Sequence, residues 1–247
     1  MEVRQKIGIN RRSMRLSGFT LIELLTVIAI IGVLAGILIP AVSRVRVSAR
    51  QASCASNMRQ IGLAIHTFAI ENNERLPGIA HSGPHEQSWI NTLRPYLDDV
   101  NAIRVSPADP LYLEKLNHPS ASSYRFNDQV FMQAMNPFGE PIGPAPRLSR
   151  FQRNPRVIMA FTGREQPPGS AFSVTQDHIH GNMWTNWMRV TADISPDLHR
   201  IGAPAEDRTR GSTNYLFIDG RVESIPAREM KALVDAGINI SDPEARW

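Results

Sequence analysis

The segment from Leu24 to Val42 constrains the fold most, because its 19 residues carry no charged side chain. An uncharged apolar run of roughly 18 residues or more predicts a helix that spans a membrane. A removable secretory signal is the competing interpretation, but the apolar core of such a signal is usually only about 7 to 15 residues long. We therefore predict a membrane-spanning helix near the N-terminus, followed by a domain outside the membrane.

The net charge of the chain belongs to the residues ahead of that helix. The formal net charge is +4, and five basic residues precede Phe19 against one acid, Glu2. Removing five from the 27 basic residues and one from the 23 acidic residues leaves 22 of each from Phe19 onward. A body without excess positive charge gives no reason to expect a nucleic-acid partner. Basic residues flank both ends of the segment, and we favour an N-terminus in the cytoplasm.

The residues around the segment resemble a known signature. "SGFTLIELLTVIAIIGVLAGILIP" is similar to the N-terminus of type IV prepilins and of the pseudopilins of type II secretion systems. In that family a dedicated peptidase cuts after a glycine and methylates the new terminal amine. The resemblance implies a cut between Gly18 and Phe19, with Glu23 as the acid of the motif and Pro40 as its mid-helix proline.

The resemblance also implies a function, partners and a location. It implies a structural subunit of a type II secretion pseudopilus or a type IV pilus-like filament. The expected partners are the prepilin peptidase, other pilin or pseudopilin subunits, an inner-membrane assembly platform and the lipid bilayer, without nucleic acid. The subunit would cross the cytoplasmic membrane once, carry its head in the periplasm or outside the cell, and enter a filament after assembly.

Glu23 is an acid at the edge of an apolar helix and needs an explanation. A carboxylate at the bilayer centre costs about 2.5 to 3.5 kcal/mol on insertion scales, and less near the interface. One interpretation places Glu23 among the lipid headgroups, where the cost fades. The other uses the amine that cleavage creates on Phe19, because that amine in one subunit can pair with Glu23 of its neighbour and set the register between them.

Other residues of the segment fit the packing of helices against one another. Gly32 and Gly36 form a G-x-x-x-G motif, which lets two helix backbones approach closely within lipid. Pro40 removes a backbone hydrogen bond and is expected to kink or loosen the helix. A helix that simply ends near Pro40 is the alternative.

Beyond the membrane the helical pattern continues. Apolar residues recur at threes and fours from Val42 to Phe68, which predicts an amphipathic helix ending near Asn72. Cys54 is the only cysteine and lies on that helix, where we expect it to pack as a small apolar residue. The predicted organisation is a leader (1–18), a transmembrane helix (19–42), a stalk helix (43–72) and a head (73–247).

We expect an α+β fold in which the long N-terminal helix packs on a small, pilin-like head with an antiparallel sheet. "STNYLFIDGRVESI" predicts a hairpin, since Asp219 and Gly220 favour a type I′ turn. Five further stretches predict the remaining elements: a helix with a Ser88 cap in 88–99, strands in 156–162, 171–175 and 186–192, and a helix in 227–237 that Gly237 ends.

The stretch from Cys54 to Gly78 and the hairpin further resemble a large bacterial subgroup of these prepilin-like proteins. In that subgroup an Arg-His pair usually lies ten residues before the Asp-Gly turn. Here Arg208 is followed by Thr209, while His199 lies earlier in the chain. The role of this histidine stays open.

No motif for an enzyme is present, and we expect none of the residues to be catalytic. His178 and His180 are the best metal-like pair, because alternate residues share one face of a strand, but a third ligand is not evident. Asp219 could contribute to a calcium site, although no dense Asp/Asn loop surrounds it. We therefore predict no cofactor. A membrane-tethered binding or enzymatic head that uses the leader only for targeting is the alternative function.

Mass spectrometry of the purified protein tests the cleavage directly. We expect the mature chain to begin at Phe19 with a methylated amine. A chain that keeps residues 1–18, or that begins well after Gly36, would contradict this prediction, the latter because an ordinary secretory signal is removed beyond its apolar core.

Overall fold

The computed structural model describes residues 20–79, 88–133, 136, 142–151, 153–165 and 177–247. These residues form an α+β fold, in which a long N-terminal helix packs against a four-stranded antiparallel sheet, and the predicted fold class is confirmed. The chain divides after Val42 into two compact units, which are described separately.

Helix α1, Leu21–Glu71, is 51 residues long. Its first part, to Val42, makes up nearly all the described residues of the first unit. None of the side chains in the most apolar stretch of the helix is buried. A core helix of the same composition in a soluble protein would be mostly buried. The length, composition and exposure of this segment fit a single-pass membrane anchor.

The later part of α1 packs on the head from Cys54 onward. Its buried residues lie three or four apart, as an amphipathic helix requires: Cys54, Met58, Ile61, Gly62, Ala64, Ile65 and Ala69. Val42, Val45 and Ala49 are exposed, so the buried face is shorter than the sequence predicted. Cys54 is completely buried, and the hydroxyl of Tyr124 lies 3.6 Å from its sulfur.

The sheet has the strand order β1-β2-β3-β4, and each strand is antiparallel to its neighbour. The strands are Tyr124–Phe126, Ile158–Thr162, Ser212–Phe217 and Val222–Pro226. The sheet separates two apolar clusters, since Leu216 packs with the α1 side chains while Tyr215 and Phe217 pack on the other side. This alternation along β3 is what the pleat of a strand imposes.

The described part of the head contains six further α-helices: α2 Trp89–Thr92, α3 Val100–Arg104, α4 Tyr112–Leu116, α5 Asp128–Phe131, α6 Trp187–Asp193 and α7 Ala227–Asp235. Short 3₁₀ helices cover Arg94–Tyr96, Leu148–Phe151 and Gly181–Met183. The predicted C-terminal helix is α7, and Gly237 follows it with a φ of 82°, a backbone angle that glycine adopts without strain.

The predicted hairpin forms, but its turn is not the predicted type I′ turn. Positive φ occurs at Gly220 (82°) and not at Asp219, and the Gly220 N–H donates to the carbonyl of Phe217 over 2.9 Å. This pattern fits a type I turn at Ile218 and Asp219 followed by a left-handed glycine. Gly220 still explains the turn, because a residue with a side chain would be strained at this positive φ.

The predicted strand in 186–192 is wrong, because this stretch forms α6. The side chain of Asn186 accepts a hydrogen bond from the Arg189 N–H over 3.1 Å and caps the helix. Trp187 and Val190, three residues apart, are its buried residues. The spacing is helical, and the content of aromatic and β-branched residues misled the prediction. The predicted strand in 171–175 lies outside the described residues.

The predicted helix in 88–99 is shorter than expected. It ends at Thr92, and a 3₁₀ turn that contains Pro95 follows, since proline disfavours the α conformation of the residue before it. Ser88 occupies the N-cap position, but its side chain makes no capping bond, which corrects its predicted role. Trp89 and Leu93 pack in the same core cluster as the buried residues of α1.

Arg104 holds together the irregular segment that leads into β1. Its side chain is 1% exposed. The guanidinium donates to Asn101 Oδ1 and to four main-chain carbonyls, those of Lys115, Leu116, His118 and Ala121. A planar group with five N–H donors suits such a cluster of acceptors, and few other side chains could replace it.

We predict that Arg104→Gln lowers the free energy of unfolding by about 3 kcal/mol, because several buried carbonyls lose their donor at once. Urea denaturation of the full chain in an uncharged detergent, followed by circular dichroism, measures the change. Arg94→Gln is the control, since Arg94 is exposed and should change stability by no more than about 0.5 kcal/mol. Equal stability of the two variants would contradict the role of Arg104.

Candidate functional site

The start of α1 is the candidate site, and Glu23 is its central residue. The Glu23 carboxylate oxygen Oε2 accepts hydrogen bonds from the Thr20 N–H and from the Thr20 hydroxyl, both over 2.9 Å. The Thr20 hydroxyl oxygen in turn accepts from the Glu23 N–H over 3.2 Å. Glu23 therefore has a partner within its own chain, three residues away.

This reciprocal arrangement is a capping box, in which Thr20 and Glu23 satisfy two backbone donors at the first turn of α1. The sequence signal was present as T-x-x-E, "TLIE", immediately before the apolar run. The two interpretations that the sequence suggested for Glu23, a place among the lipid headgroups and a bond to a neighbouring subunit, do not include this local role. Gly18 and Phe19, the predicted processing residues, lie outside the described residues.

Gly32, Gly36 and Pro40 lie within α1. A Cβ atom added at Gly32 or Gly36 would meet nothing within 4 Å, so the surface at the G-x-x-x-G motif is open. The helix continues through Pro40, and the alternative of a helix that ends there is wrong. Proline has no N–H to donate, so the carbonyl one turn earlier lacks its usual helical donor.

His178 and His180 come together next to β1 of the head. His178 pairs with Phe126 in a short parallel bridge, and its Nδ1 lies 2.9 Å from Asp177 Oδ1. The ring centroids of the two histidines are 5.1 Å apart. Within the part of the chain that the structure describes, no three His, Cys, Asp or Glu side chains are placed to hold a metal ion.

Asp219, the predicted calcium candidate, serves the hairpin turn. Its carboxylate accepts from the Arg221 N–H over 3.1 Å and lies 2.8 Å from the Arg221 Nη1.

A buried ionic group lies beside β3 and was not predicted. Asp197 is fully buried, and its Oδ1 lies 2.6 Å from Nη2 of Arg208, while Arg200 Nη1 lies 3.5 Å from Oδ2. Arg208 adopts a φ of 56°, which is uncommon outside glycine. The arginine of the broken Arg-His pattern therefore neutralises a buried acid, a structural role that explains its presence without the histidine.

His199 is buried, and its backbone pairs with that of Ser212 at the start of β3. Neither ring nitrogen has a hydrogen-bond partner among the described residues. Burial lowers the pKa of His199 to about 4, from an ordinary value of 6.5.

Two family matches follow from the sequence. Residues 14–39 match the family described as Prokaryotic N-terminal methylation motif, and residues 43–136 match the family described as Protein of unknown function (DUF1559). The first match confirms the predicted resemblance, and the chain is prepilin-like. The motif implies processing by a prepilin peptidase and assembly with other pilin-like subunits.

The second match covers the stalk part of α1 and the first part of the head, through α5. No curated protein and no solved structure is significantly similar to the chain.

The buried His199 predicts a pH dependence of stability. The unfolded chain binds a proton near pH 6.5 and the folded chain only near pH 4. Stability contributed by the neutral ring is therefore complete above about pH 6.5 and is lost towards pH 4, by at most about 1.4 kcal/mol per pH unit. Urea denaturation at several pH values should show that His199→Leu flattens this slope. An unchanged slope would contradict the prediction.

Proposed function

We propose that the chain is a structural subunit, which assembles into a type II secretion pseudopilus or a type IV pilus-like filament after cleavage between Gly18 and Phe19. The observation that carries the proposal is the first part of α1. It is apolar on all sides, has no buried residue in its apolar stretch, and lies largely within the methylation motif that matches residues 14–39. Lipid would cover this surface before assembly, and the helices of neighbouring subunits would cover it afterwards.

Glu23 has two roles in this proposal. Before assembly, its bonds to Thr20 satisfy part of the hydrogen-bonding capacity of the carboxylate. During assembly, the amine on Phe19 of one subunit would approach Glu23 of the next, and the pair would favour the subunits whose axial register matches. A misplaced subunit would leave both charges unpaired in apolar surroundings.

We further propose that the head lies on the outer side of the cytoplasmic membrane and is not an enzyme. Its buried charged groups support this view, because Asp197 and Arg104 are occupied by contacts within the head. The peptidase that acts on residues 18 and 19 would be a separate protein, and the present chain its substrate.

Two substitutions of Glu23 separate its roles. Glu23→Gln keeps the capping box, because a glutamine oxygen accepts the same bonds, but it removes the charge. Glu23→Ala removes both. If the intersubunit ion pair drives assembly, both variants should insert normally but yield at least about tenfold fewer sheared filaments or crosslinked oligomers. The recovered amounts are compared by immunoblot.

Thr20→Ala is the matched control, since it removes a capping bond and leaves the acid in place. We expect it to assemble better than either Glu23 variant. Normal assembly of Glu23→Gln would show that capping alone explains the acid. If the wild-type chain forms neither filaments nor oligomers, the head is a tethered module and the filament proposal is wrong.

Gly32→Leu tests the open face of α1. The leucine meets nothing within the chain, so insertion and folding should be unchanged, while close approach of a neighbouring helix is blocked. We expect crosslinked oligomers to fall by about tenfold. Ala41→Leu adds similar bulk at an exposed position on the opposite side of the helix and should assemble normally. If both variants reduce crosslinked oligomers equally, the G-x-x-x-G motif has no specific role in assembly.

A further inference from the structure

A concentration of arginine follows the Gly/Pro-rich part of the head. Residues 142–156 contain four arginines and no acidic residue. The chain from Phe19 onward has 22 basic and 22 acidic residues, so the rest of that body has a surplus of acid. Four of the 22 basic residues of the body thus lie in one short segment that contains no acid.

Two of these arginines line the same recess. The 3₁₀ helix Leu148–Phe151 brings side chains three residues apart onto one face, so Arg147, just before it, and Arg150 lie side by side. Both are exposed. With their neighbours they line an open recess of about 310 Å³, here named the arginine recess. Its lining residues are Pro144, Ala145, Pro146, Arg147, Ser149 and Arg150.

The backbone of the arginine recess is held in place by the segment that follows α1. The Leu76 N–H donates to the Pro146 carbonyl over 2.9 Å, and the Leu148 N–H donates to the Glu74 carbonyl over 2.8 Å. Arg75 and Arg147 face each other in this short antiparallel bridge. A recess fixed in this way loses little freedom when it binds a ligand.

The guanidinium groups of the recess remain available for a ligand. Within the described residues, Arg147 and Arg150 form no ion pair. The Arg150 guanidinium lies 5.4 Å from the centre of the Phe151 ring, which leaves its N–H donors unused. The Glu74 carboxylate accepts a hydrogen bond from the hydroxyl of Ser149, and among the described residues it forms no ion pair with Arg147 or Arg150. The local charge therefore stays positive.

We propose that the arginine recess binds a phosphate ester, with Arg147 and Arg150 as its ligands. Arginine presents a planar fork of N–H donors that matches the oxygens of phosphate in pairs. The volume of the recess is near the lower end for sites of small organic ligands and exceeds what one phosphate needs. The proline and alanine wall would contact the carbon skeleton of the ester, such as a glycerol or a sugar.

A nucleic-acid strand fits these residues less well. Proteins that bind single strands stack the bases on exposed aromatic side chains. Phe151, the aromatic residue within this segment, is 3% exposed, and its ring faces Arg150. Arg147, Arg150 and Arg153 give three exposed positive charges, fewer than the roughly six to ten phosphate contacts of a typical duplex binder. The recess therefore suits one compact phosphate.

Binding is tested with the full chain in an uncharged detergent at low salt, by isothermal titration calorimetry. The probes are inorganic phosphate, glycerol 1-phosphate, polyglycerol phosphate and, as a carboxylate, glucuronate. We expect saturable binding of the phosphate esters and at least about tenfold weaker binding by R147Q/R150Q, because the charge-assisted bonds are lost. The affinity of R147K/R150K should lie between those of the wild type and R147Q/R150Q, since lysine keeps the charge but lacks the planar pair of N–H donors.

R189Q/R228Q is the matched control, because it removes two exposed arginines elsewhere on the head and should bind as the wild type does. If polyglycerol phosphate binds more tightly than glycerol 1-phosphate, the natural ligand is a phosphate-containing polymer of the cell envelope. If the two bind equally, the natural ligand is a small free ester. The proposal is overturned if no phosphate probe binds saturably, if R147Q/R150Q binds like the wild type, or if glucuronate binds equally well. None of these outcomes depends on filament assembly.

Discussion

The structure depends on helix α1, whose first and later parts need different surroundings. The first part of α1 exposes apolar side chains on every side, while the later part buries a single face, from Cys54 to Ala69, against the sheet. Lipid or other apolar helices are needed to cover the first surface, and the head itself covers the second.

The head is stabilised by buried polar groups as much as by its small sheet. The strands are short, and long irregular connections join them, so many backbone carbonyls need donors. Arg104 supplies several of these donors, and Asn127 donates to the carbonyls of Ile158 and Ser241, both over 2.8 Å. Such contacts fix connections that apolar packing alone would leave undefined.

The parts of the fold that the sequence revealed are those governed by local rules. The apolar run, the stalk periodicity, β2, the hairpin and α7 each follow from spacing or from a glycine, and the structure contains all of them. The strand predicted at Trp187 failed because burial and the Asn186 cap outweighed β propensity. The bonds of Arg104 to main-chain carbonyls and of Asp197 to Arg208 span 11 to 17 residues of irregular chain, where no local pattern marks them. The arginine recess is local in sequence, but the backbone bonds to the segment after α1 that fix it are not. The Thr20–Glu23 bonds follow from a local T-x-x-E motif at the start of the apolar run.

The capping bonds of Glu23 have a consequence for the order of events in the life of the subunit. A carboxylate that Thr20 already solvates enters the headgroup region at a smaller cost than a bare one. Under the proposed function, uncleaved copies would therefore accumulate as separate molecules in the bilayer. Growth of a polymer would begin only when a freed amine competes with threonine for the same acid, and proteolysis rather than synthesis would control it.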